Sequence, residues 1–546
     1  MEFNLADLLE CVTDAVPDRE ALICGERRLT FAQLDERANR LAHYLSARGI
    51  GEGDHVGIYM HNGTEYVETS LAAFKIRAIP ININYRYVEE ELLYLFDNAD
   101  LVALVHHREF APRIEAVVPK IPNLKTFIVL EDGSGADCSA FGSEDYDEAL
   151  KASSPERGFP TRSGADLYIL YTGGTTGMPK GVMWQHEDLF FAALMGGNPY
   201  GPQPERPEQV GVNAATPGVV TMLPAAPLMH GAAQWATLIG LLGGGKIVIS
   251  QSKKFDPDLI WKLVEQEKVN TIAIVGDAMA RPLAEALAKP GASYDTSSLR
   301  VVGSGGATYS EGVKAQLREQ LPTTIFMDSF GGSEGGNQGQ GVDSDTPGTA
   351  PGPRFRADGT TAVLDENMKP LEPGCGVIGM LARKGRIPLG YYKDPVKTAE
   401  TFVEADGVRW VISGDMAAIE ADGTITLLGR GSNCINSGGE KIFPEEVESA
   451  LRSHPGVFDA IVVGVSDERW GERVTAVVHP RSDTELTLEE LVAHCRTKVA
   501  GYKVPRELHL VDEIVRQPSG KPDYKWAKRV ATGGEAVAAG KDTGTS

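Results

Sequence analysis

A chain of 546 residues with 42% hydrophobic and 23% charged residues has the make-up of a globular protein, and its length suits roughly three or four domain-sized units. A formal net charge of −22 excludes a broad electrostatic footprint for nucleic acid or an anionic membrane. It leaves room for an anionic ligand held by a few local cations and backbone N–H groups. Six scattered cysteines (Cys11, Cys24, Cys138, Cys375, Cys434 and Cys495) form no C-x-x-C pair and read as reduced packing thiols, not as a disulfide framework or zinc site. The opening "MEFNLADLLE" carries Glu2, Asp7 and Glu10, unlike a signal peptide. The apolar run "GAAQWATLIGLLGGG" contains Gln234, follows His230 and falls short of the roughly 20 apolar residues of a membrane span. No transmembrane segment and a cytoplasmic location are expected.

In chain order, residues 29–49 predict a helix with both ends marked. Thr30 and Gln33 have capping-box spacing, Leu34, Ala38, Leu41, Ala42 and Leu45 make one apolar stripe, and Gly49 can end it. "HVGIYM" follows as a buried strand, and a second helix is expected near 64–78. "FIVL" (127–130), "KIVIS" (246–250), "TIAIV" (271–275) and "RVVGSGG" (300–306) read as further strands separated by helical patterns. Strands alternating with helices predict parallel sheets covered on both faces. After residue 350 short strands and turns predict a small β-rich, barrel-like unit. A polar, glycine-rich joint, "GRGSNCINSGGE", spans 429–440. Beyond it "FPEEVESALRSHP" reads as a helix and "DAIVVGVSD" as a strand. The expected fold class is α/β: a large N-terminal domain over 1–430 and a small mobile α+β domain over 431–528, with the boundary at Arg430–Ser432. The tail 529–546 is low in bulky apolar residues and is expected to be disordered.

Residues 171–181, "YTGGTTGMPKG", follow the strand-like "DLYILY". Glycines let backbone N–H groups approach an oxyanion, threonines add hydroxyl donors, and Lys180 adds charge. This differs from the G-x-x-x-x-G-K-[ST] loop of NTPases: Gly181 stands where a magnesium-binding hydroxyl is needed, and Pro179 precedes the lysine.

Here the sequence resembles the adenylate-forming superfamily of acyl-CoA synthetases, peptide-synthetase adenylation domains and luciferases, from about residue 5 to 528. "YTGGTTGMPKG" matches its phosphate loop, "APLMHGAA" its acyl-pocket segment and "GSGGATYS" its adenine-side loop. "DSFGGSEGG" matches its aromatic-Gly-x-Thr-Glu motif, with Phe330 for the usual tyrosine and Ser333 for the usual threonine. "ISGDMAAIEADG", "GRGSNCINSGGEKIFPEEVE" and "PSGKPDYKW" supply the ribose carboxylate, the hinge and the C-terminal lysine. Seven such segments in the right order carry more weight than any one alone.

The resemblance implies site residues. Thr172, Gly173, Gly174, Thr175, Thr176, Gly177 and Lys180 would hold the β- and γ-phosphates of ATP. Gly305, Gly306, Ala307, Ser329, Phe330, Gly331 and Ser333 would form the nucleotide pocket. Asp415 and Arg430 would take the ribose hydroxyls. Glu334 would ligate Mg²⁺, a hard cation that needs only one or two protein carboxylates beside phosphates. Lys521 would offset charge as a carboxylate attacks the α-phosphorus. His230 would line the acyl pocket. Ser432 would be the hinge pivot, followed by Asn433 where Asp is frequent, and Ser437, Gly438, Gly439 and Glu440 would approach CoA once the small domain rotates.

Outside these motifs, Trp184, Gln185 and His186 fit packing as readily as substrate contact, His106 and His107 read as surface residues, and Cys434 reads as inert. The implied function is an ATP-dependent acid–CoA ligase forming acyl-AMP, with phrases such as "GDAMARPL" and "AGYKVPR" close to actinobacterial ligases for fatty acids and steroid side chains. The alternative is an enzyme of secondary metabolism that activates an unusual acid, aromatic or even nitrite, and passes it to a carrier-protein thiol or an amine. "SFGGSEGGNQGQ" is small and polar for a pocket wall, suiting either a widened tunnel or a small polar acid. Expected partners are a small-molecule acid, ATP and CoA, with a homodimer as the open oligomeric option and no nucleic acid.

Overall fold

Thr30 caps the helix Phe31–Ser46 (α1) as its spacing predicts: its side chain accepts from Gln33 N while Gln33 reaches back to the Thr30 backbone. This computed structural model describes residues 1–173, 178–199, 201–216, 218–307, 309–342, 353–437, 440–481, 484–517 and 521–533. Gly174, Thr175, Thr176, Gly177, Gly438, Gly439 and the tail from 534 lie outside the described residues. After α1 come strand His55–Tyr59 (β1) and helix Thr64–Lys75 (α2), which stops where Arg77 turns to φ 62°. Strands Ile79–Asn82 (β2), Leu101–His107 (β3), Thr126–Leu130 (β4), Leu167–Thr172 (β5) and Lys180–Gln185 (β6) follow. Together with two-residue strands at Gly390–Tyr391 and Glu144–Asp145 they form an eight-stranded sheet, ordered Gly390–Tyr391, β6, β5, β2, β1, β3, β4, Glu144–Asp145. From β5 through β4 neighbours run parallel; β6 turns back antiparallel on β5.

The second sheet has fourteen strands. Its parallel part holds Thr221–Pro224 (β7), Lys246–Ile249 (β8), Thr271–Ile274 (β9), Val301–Gly305 (β10) and Ile325–Gly332 (β11), with helices Gly231–Leu242 (α3) and Asp277–Ala288 (α4) between them. At β11 the sheet turns antiparallel through Gly336–Val342 (β12) and Arg354–Ala357 (β13), then through Val408–Ile419 (β14) and Thr424–Arg430 (β15). The β-rich stretch after residue 350 therefore continues this sheet as an open antiparallel run among the described residues, with no closure into a separate barrel. One large core draws Val56, Ile58 and Trp184 from the first sheet, Met222 and Ile247 from the second, and Leu41, Phe74 and Leu241 from the helices between them.

The small C-terminal domain is built on a five-stranded sheet dominated by the hairpin Val457–Asp467 (β16) and Gly471–Pro480 (β17), covered by helices Pro444–Arg452 (α5) and Tyr524–Ala531 (α6). The strand expected at 459–467 reads as a continuous apolar run because both faces are covered. Ala460 and Val462 pack with Val447 and Leu451 of α5, while Ile461, Val463 and Val465 pack with Trp526 and Val530 of α6.

Candidate active site

The strands on either side of the glycine-rich segment, β5 and β6, pair antiparallel, so a strand and not a helix follows it. Thr172 at the end of β5 lies opposite Lys180 at the start of β6. Glycine follows the lysine for a steric reason: a Cβ on Gly181 would lie 2.8 Å from both the Tyr171 ring and Ile169 Cγ2. Asn82 of β2 braces the base of this hairpin. Its side chain accepts from Tyr171 N (2.8 Å) and donates to Tyr171 O and Met229 O (2.8 Å each). That ties the loop entrance to the segment carrying His230, which is half-buried at the N-cap position of α3. Thr172 is half-buried and Gly173 exposed where the loop begins.

Lys180 meets the segment that follows the edge strand Gly390–Tyr391. Its ammonium pairs with Asp394, the N-cap of helix Pro395–Thr401, and lies 5.8 Å from the centre of the Tyr391 ring. The hydrogen bond from Lys180 holds the Asp394 carboxyl below its ordinary range. The Tyr391 hydroxyl donates to Glu334 Oε1 at 2.9 Å, and burial, then the Glu334 charge, pushes that phenol up. Glu334 sits in the turn joining β11 to β12, where Trp184 Nε1 of β6 donates to Ser333 O at 2.8 Å. Trp184 is fully buried, so of packing and substrate contact it does the first.

Gly305 closes β10 and lies beside Ser329 of β11, so the adenine-side loop with Gly306 and Ala307 and the 329–334 segment meet at the C-terminal ends of adjacent parallel strands. In open α/β sheets that edge is where ligands bind. Phe330 stacks on Phe355 of β13, centroids 4.8 Å apart and planes 13° apart. The small residues around Glu334 answer to strand packing: a Cβ on Gly331 would fall 2.0 Å from Gly336 O, and one on Gly339 2.2 Å from the Phe355 ring.

Asp415 of β14 and Arg430 of β15 are cross-strand partners, with Arg430 Nε 3.4 Å from Asp415 Oδ1. Ser413 Oγ donates to Asp415 Oδ2 at 2.7 Å. Immediately beyond Arg430 a 3₁₀ turn, Gly431–Asn433, exposes Ser432; Ser437 is buried and Glu440 exposed in the next two short strands. Lys521, from the small domain, comes to the same place. Burial lowers its ammonium pKa, Arg430 lowers it further, and Glu334 and Asp415 oppose the shift. Glu334, Asp415 and Arg430 thus all act on the charge of Lys521.

Glu445, on the first turn of α5, backs Arg430. Its Oε1 lies 3.4 Å from Arg430 N, while Oε2 is buried with no hydrogen-bond partner. Burial and the neighbouring Glu448 push its carboxyl up to about 8. Asn82, Tyr391, Asp394 and Glu445 escaped the sequence reading, because each acts through a partner distant in the chain. Only the "GYYKDP" stretch between the matched motifs hinted at two of them.

Two expectations about bystanders resolve differently. His106 is buried and not on the surface: it is bonded to Ser143 Oγ at 2.9 Å and pushed by burial to about 4. The half-buried His107 accepts from His61 N at 3.0 Å. Alternation put these residues on a strand buried on both faces, where polarity alone suggested exposure. All six cysteines are free thiols, and burial pushes Cys11 and Cys495 to about 11, Cys24 to about 12 and Cys434 upward, leaving little thiolate at neutral pH. No group of three or more His, Cys, Asp or Glu that could hold a metal occurs among the described residues. A lone carboxylate such as Glu334 fits a Mg²⁺ whose other ligands are phosphate oxygens and water. No helix among the described residues is long and apolar enough to cross a membrane.

Comparison with known proteins agrees with this geometry. The AMP-binding enzyme family matches residues 10–392, and the AMP-binding enzyme C-terminal domain matches 446–521. A 3-oxocholest-4-en-26-oate–CoA ligase of Rhodococcus rhodochrous is 52% identical over 97% of this chain and 96% of its own. A medium/long-chain-fatty-acid–CoA/3-oxocholest-4-en-26-oate–CoA ligase of Mycolicibacterium smegmatis is 51% identical over 97% of both chains. Among solved structures, ATP-bound MatB from Rhodopseudomonas palustris superposes with a TM-score of 0.81 at 25% identity, over 97% of this chain and 99% of that one. With matches that span both of its domains, this chain belongs to the AMP-binding enzyme family.

Proposed function

We propose that the protein is an ATP-dependent acid–CoA ligase that converts a fatty or steroid side-chain acid to its acyl-AMP, releases pyrophosphate, and passes the acyl group to CoA. The observation that carries this reading is the convergence of Lys521 on Glu334, Asp415 and Arg430. In this reading the substrate carboxylate and the α-phosphate, both anionic, approach in line, and the Lys521 ammonium offsets the charge they bring together. Asp415 accepts from the ribose hydroxyls and Arg430 donates to the ribose. Lys180 leaves Asp394 for the β- and γ-phosphates and steadies the departing pyrophosphate. Glu334, its carboxylate oriented by Tyr391, is the protein ligand for Mg²⁺, which supplies charge neutralisation at the phosphates when bound.

The acyl-AMP is a mixed anhydride open to attack by the CoA thiol, whose pKa of about 8.5 needs only modest help at neutral pH. For that step the small domain turns about a boundary at Arg430–Ser432, withdrawing Lys521 and presenting the segment from Ser437 to Glu440. The choice of acid rests on the two actinobacterial relatives, which share about half of this sequence.

The test is pyrophosphate release with dodecanoate, 3-oxocholest-4-en-26-oate, anthranilate and nitrite, each with and without CoA. Acid-dependent release with a thioester formed only when CoA is present is the expected result, strongest with the first two. Turnover confined to anthranilate or nitrite, or product formed equally well without CoA, would overturn the reading.

A further inference from the structure

Lys521 belongs to the small domain, yet it must sit within ångströms of groups on the large one. The segment carrying it is closed at its base: Arg516 and Pro522 form a β-bridge, and Gln517 N donates to Lys521 O at 2.8 Å. Arg516 is in turn gripped by Asp459 of β16, with Nε 3.1 Å and Nη2 2.6 Å from Oδ2. The other oxygen of Asp459 accepts from Ala460 N at 2.8 Å, and Arg452 at the end of α5 stands 3.7 Å away.

This cluster faces the large domain. Arg281 of α4 is buried, and its guanidinium lies 5.0 Å from the ring of Phe458, next in sequence to Asp459. Arg481 approaches the same ring at 5.9 Å. The charge of Asp459 acts on Arg281 across the seam, and the charge of Asp277 on Arg452. Asp277 is pinned to its own domain by Ser310, whose N and Oγ donate at 2.8 and 2.6 Å. Asp459 is the carboxylate of this boundary cluster that bonds Arg516, while Glu448 stands 3.5 Å from Arg452 and Asp277 3.7 Å from Arg281. Neutralising Asp459 takes away the charge that Arg516 bonds and shifts the balance of the cluster toward its cations, a costly change at a buried ion pair.

We propose that Asp459 is a positioning residue for Lys521: it holds the base of the Lys521 segment through Arg516 and, facing Arg281, registers that segment against the large domain. The proposal rests on Lys521 being the lysine of the adenylation step. Asp459 acts on that step alone, because the thioester step requires the seam to part.

The experiment compares wild type, Asp459→Asn, Asp459→Glu and Arg281→Met in the full chain. Three measurements are made: dodecanoate-dependent ATP–pyrophosphate exchange, thioester formation from preformed dodecanoyl-AMP and CoA, and the rate at which acetic anhydride labels Lys521, followed by mass spectrometry. Asp459→Asn should lose about ten- to a hundredfold in exchange, as expected for a misplaced catalytic group. Its thioester step should stay near the wild-type rate and its Lys521 should label several-fold faster. Asp459→Glu should recover part of the exchange. Arg281→Met, which leaves the Asp459–Arg516 pair intact, should shift exchange and labelling in the same directions by less and leave the thioester step near the wild-type rate. Equal losses in both half-reactions with unchanged Lys521 labelling, or no change in any measurement, would overturn the proposal. Should wild type itself show no exchange with any acid, the functional reading fails, and the labelling comparison still decides the role of Asp459.

Discussion

In the proposed function two lysines serve the site, and they are held in different ways. Lys180 starts a strand inside the first sheet, braced by Trp184 and Asn82, with Asp394 as its partner. Lys521 lies inside the β-bridge between Arg516 and Pro522 on the small domain, and in the proposed cycle it reaches the site only while that domain is docked. A cation that binds a ground-state phosphate group can belong to a rigid sheet. One needed in a single chemical step can be placed on a part that leaves. The contrast predicts that damage to Lys180 appears in ATP affinity, and damage to Lys521 in one half-reaction.

The largest effect should come from Lys521→Ala: a loss of about 10²–10³-fold in acyl-AMP formation, with thioester formation from supplied acyl-AMP retained. Wild-type acyl-AMP formation coupled with lost thioester formation would reverse the assigned roles. Lys180→Met should raise the KM for ATP about tenfold, a loss of roughly 1.4 kcal/mol, and leave the thioester step alone. An unchanged KM would break the comparison on its rigid side.

Trp184→Phe removes the bond to Ser333 O and should cost about 1 kcal/mol of stability in denaturant unfolding, with a modest rise in the Mg²⁺ concentration needed for activity as the Glu334 turn loosens. The last prediction concerns the joint. Glu445 has its folded pKa raised from the ordinary 4.5 to about 8, so between those values the folded protein binds more protons than the unfolded chain. Stability contributed by that carboxyl is therefore greatest at low pH and lost as pH rises through the window. Glu445→Gln cannot ionise, so its urea midpoint should fall less than that of wild type between about pH 5 and about pH 8.5. Parallel pH profiles would show that the carboxyl is not buried against the joint.

Much of this was legible in the sequence. The capping box at Thr30, the strands at 55–60, 127–130, 246–250, 271–275 and 300–306, and the helix after Phe443 follow from period and end signals. The residues proposed to hold the nucleotide come from ordered motifs, because those chain segments carry their chemistry locally. What remained hidden was pairing. Nothing in "YTGGTTGMPKG" tells that the strand after it folds back on the strand before it, since a glycine-rich loop can lead to either a helix or a hairpin. The Lys180–Asp394, Tyr391–Glu334, Trp184–Ser333 and Asn82–Met229 contacts join residues that only the assembled sheets bring together. His106 misled because polarity argued for exposure where a two-sided strand and one serine supplied burial and a partner.

The glycines of the strand Gly336–Val342 carry a practical consequence for redesign. With Gly331 pressed on the Gly336 carbonyl and Gly339 on the Phe355 ring, a side chain at either place would have to push neighbouring strands apart. Directed evolution for a new acid should therefore find that wall closed to change. Variation should be easier at Ala232, the exposed position in the first turn of the helix that begins after His230.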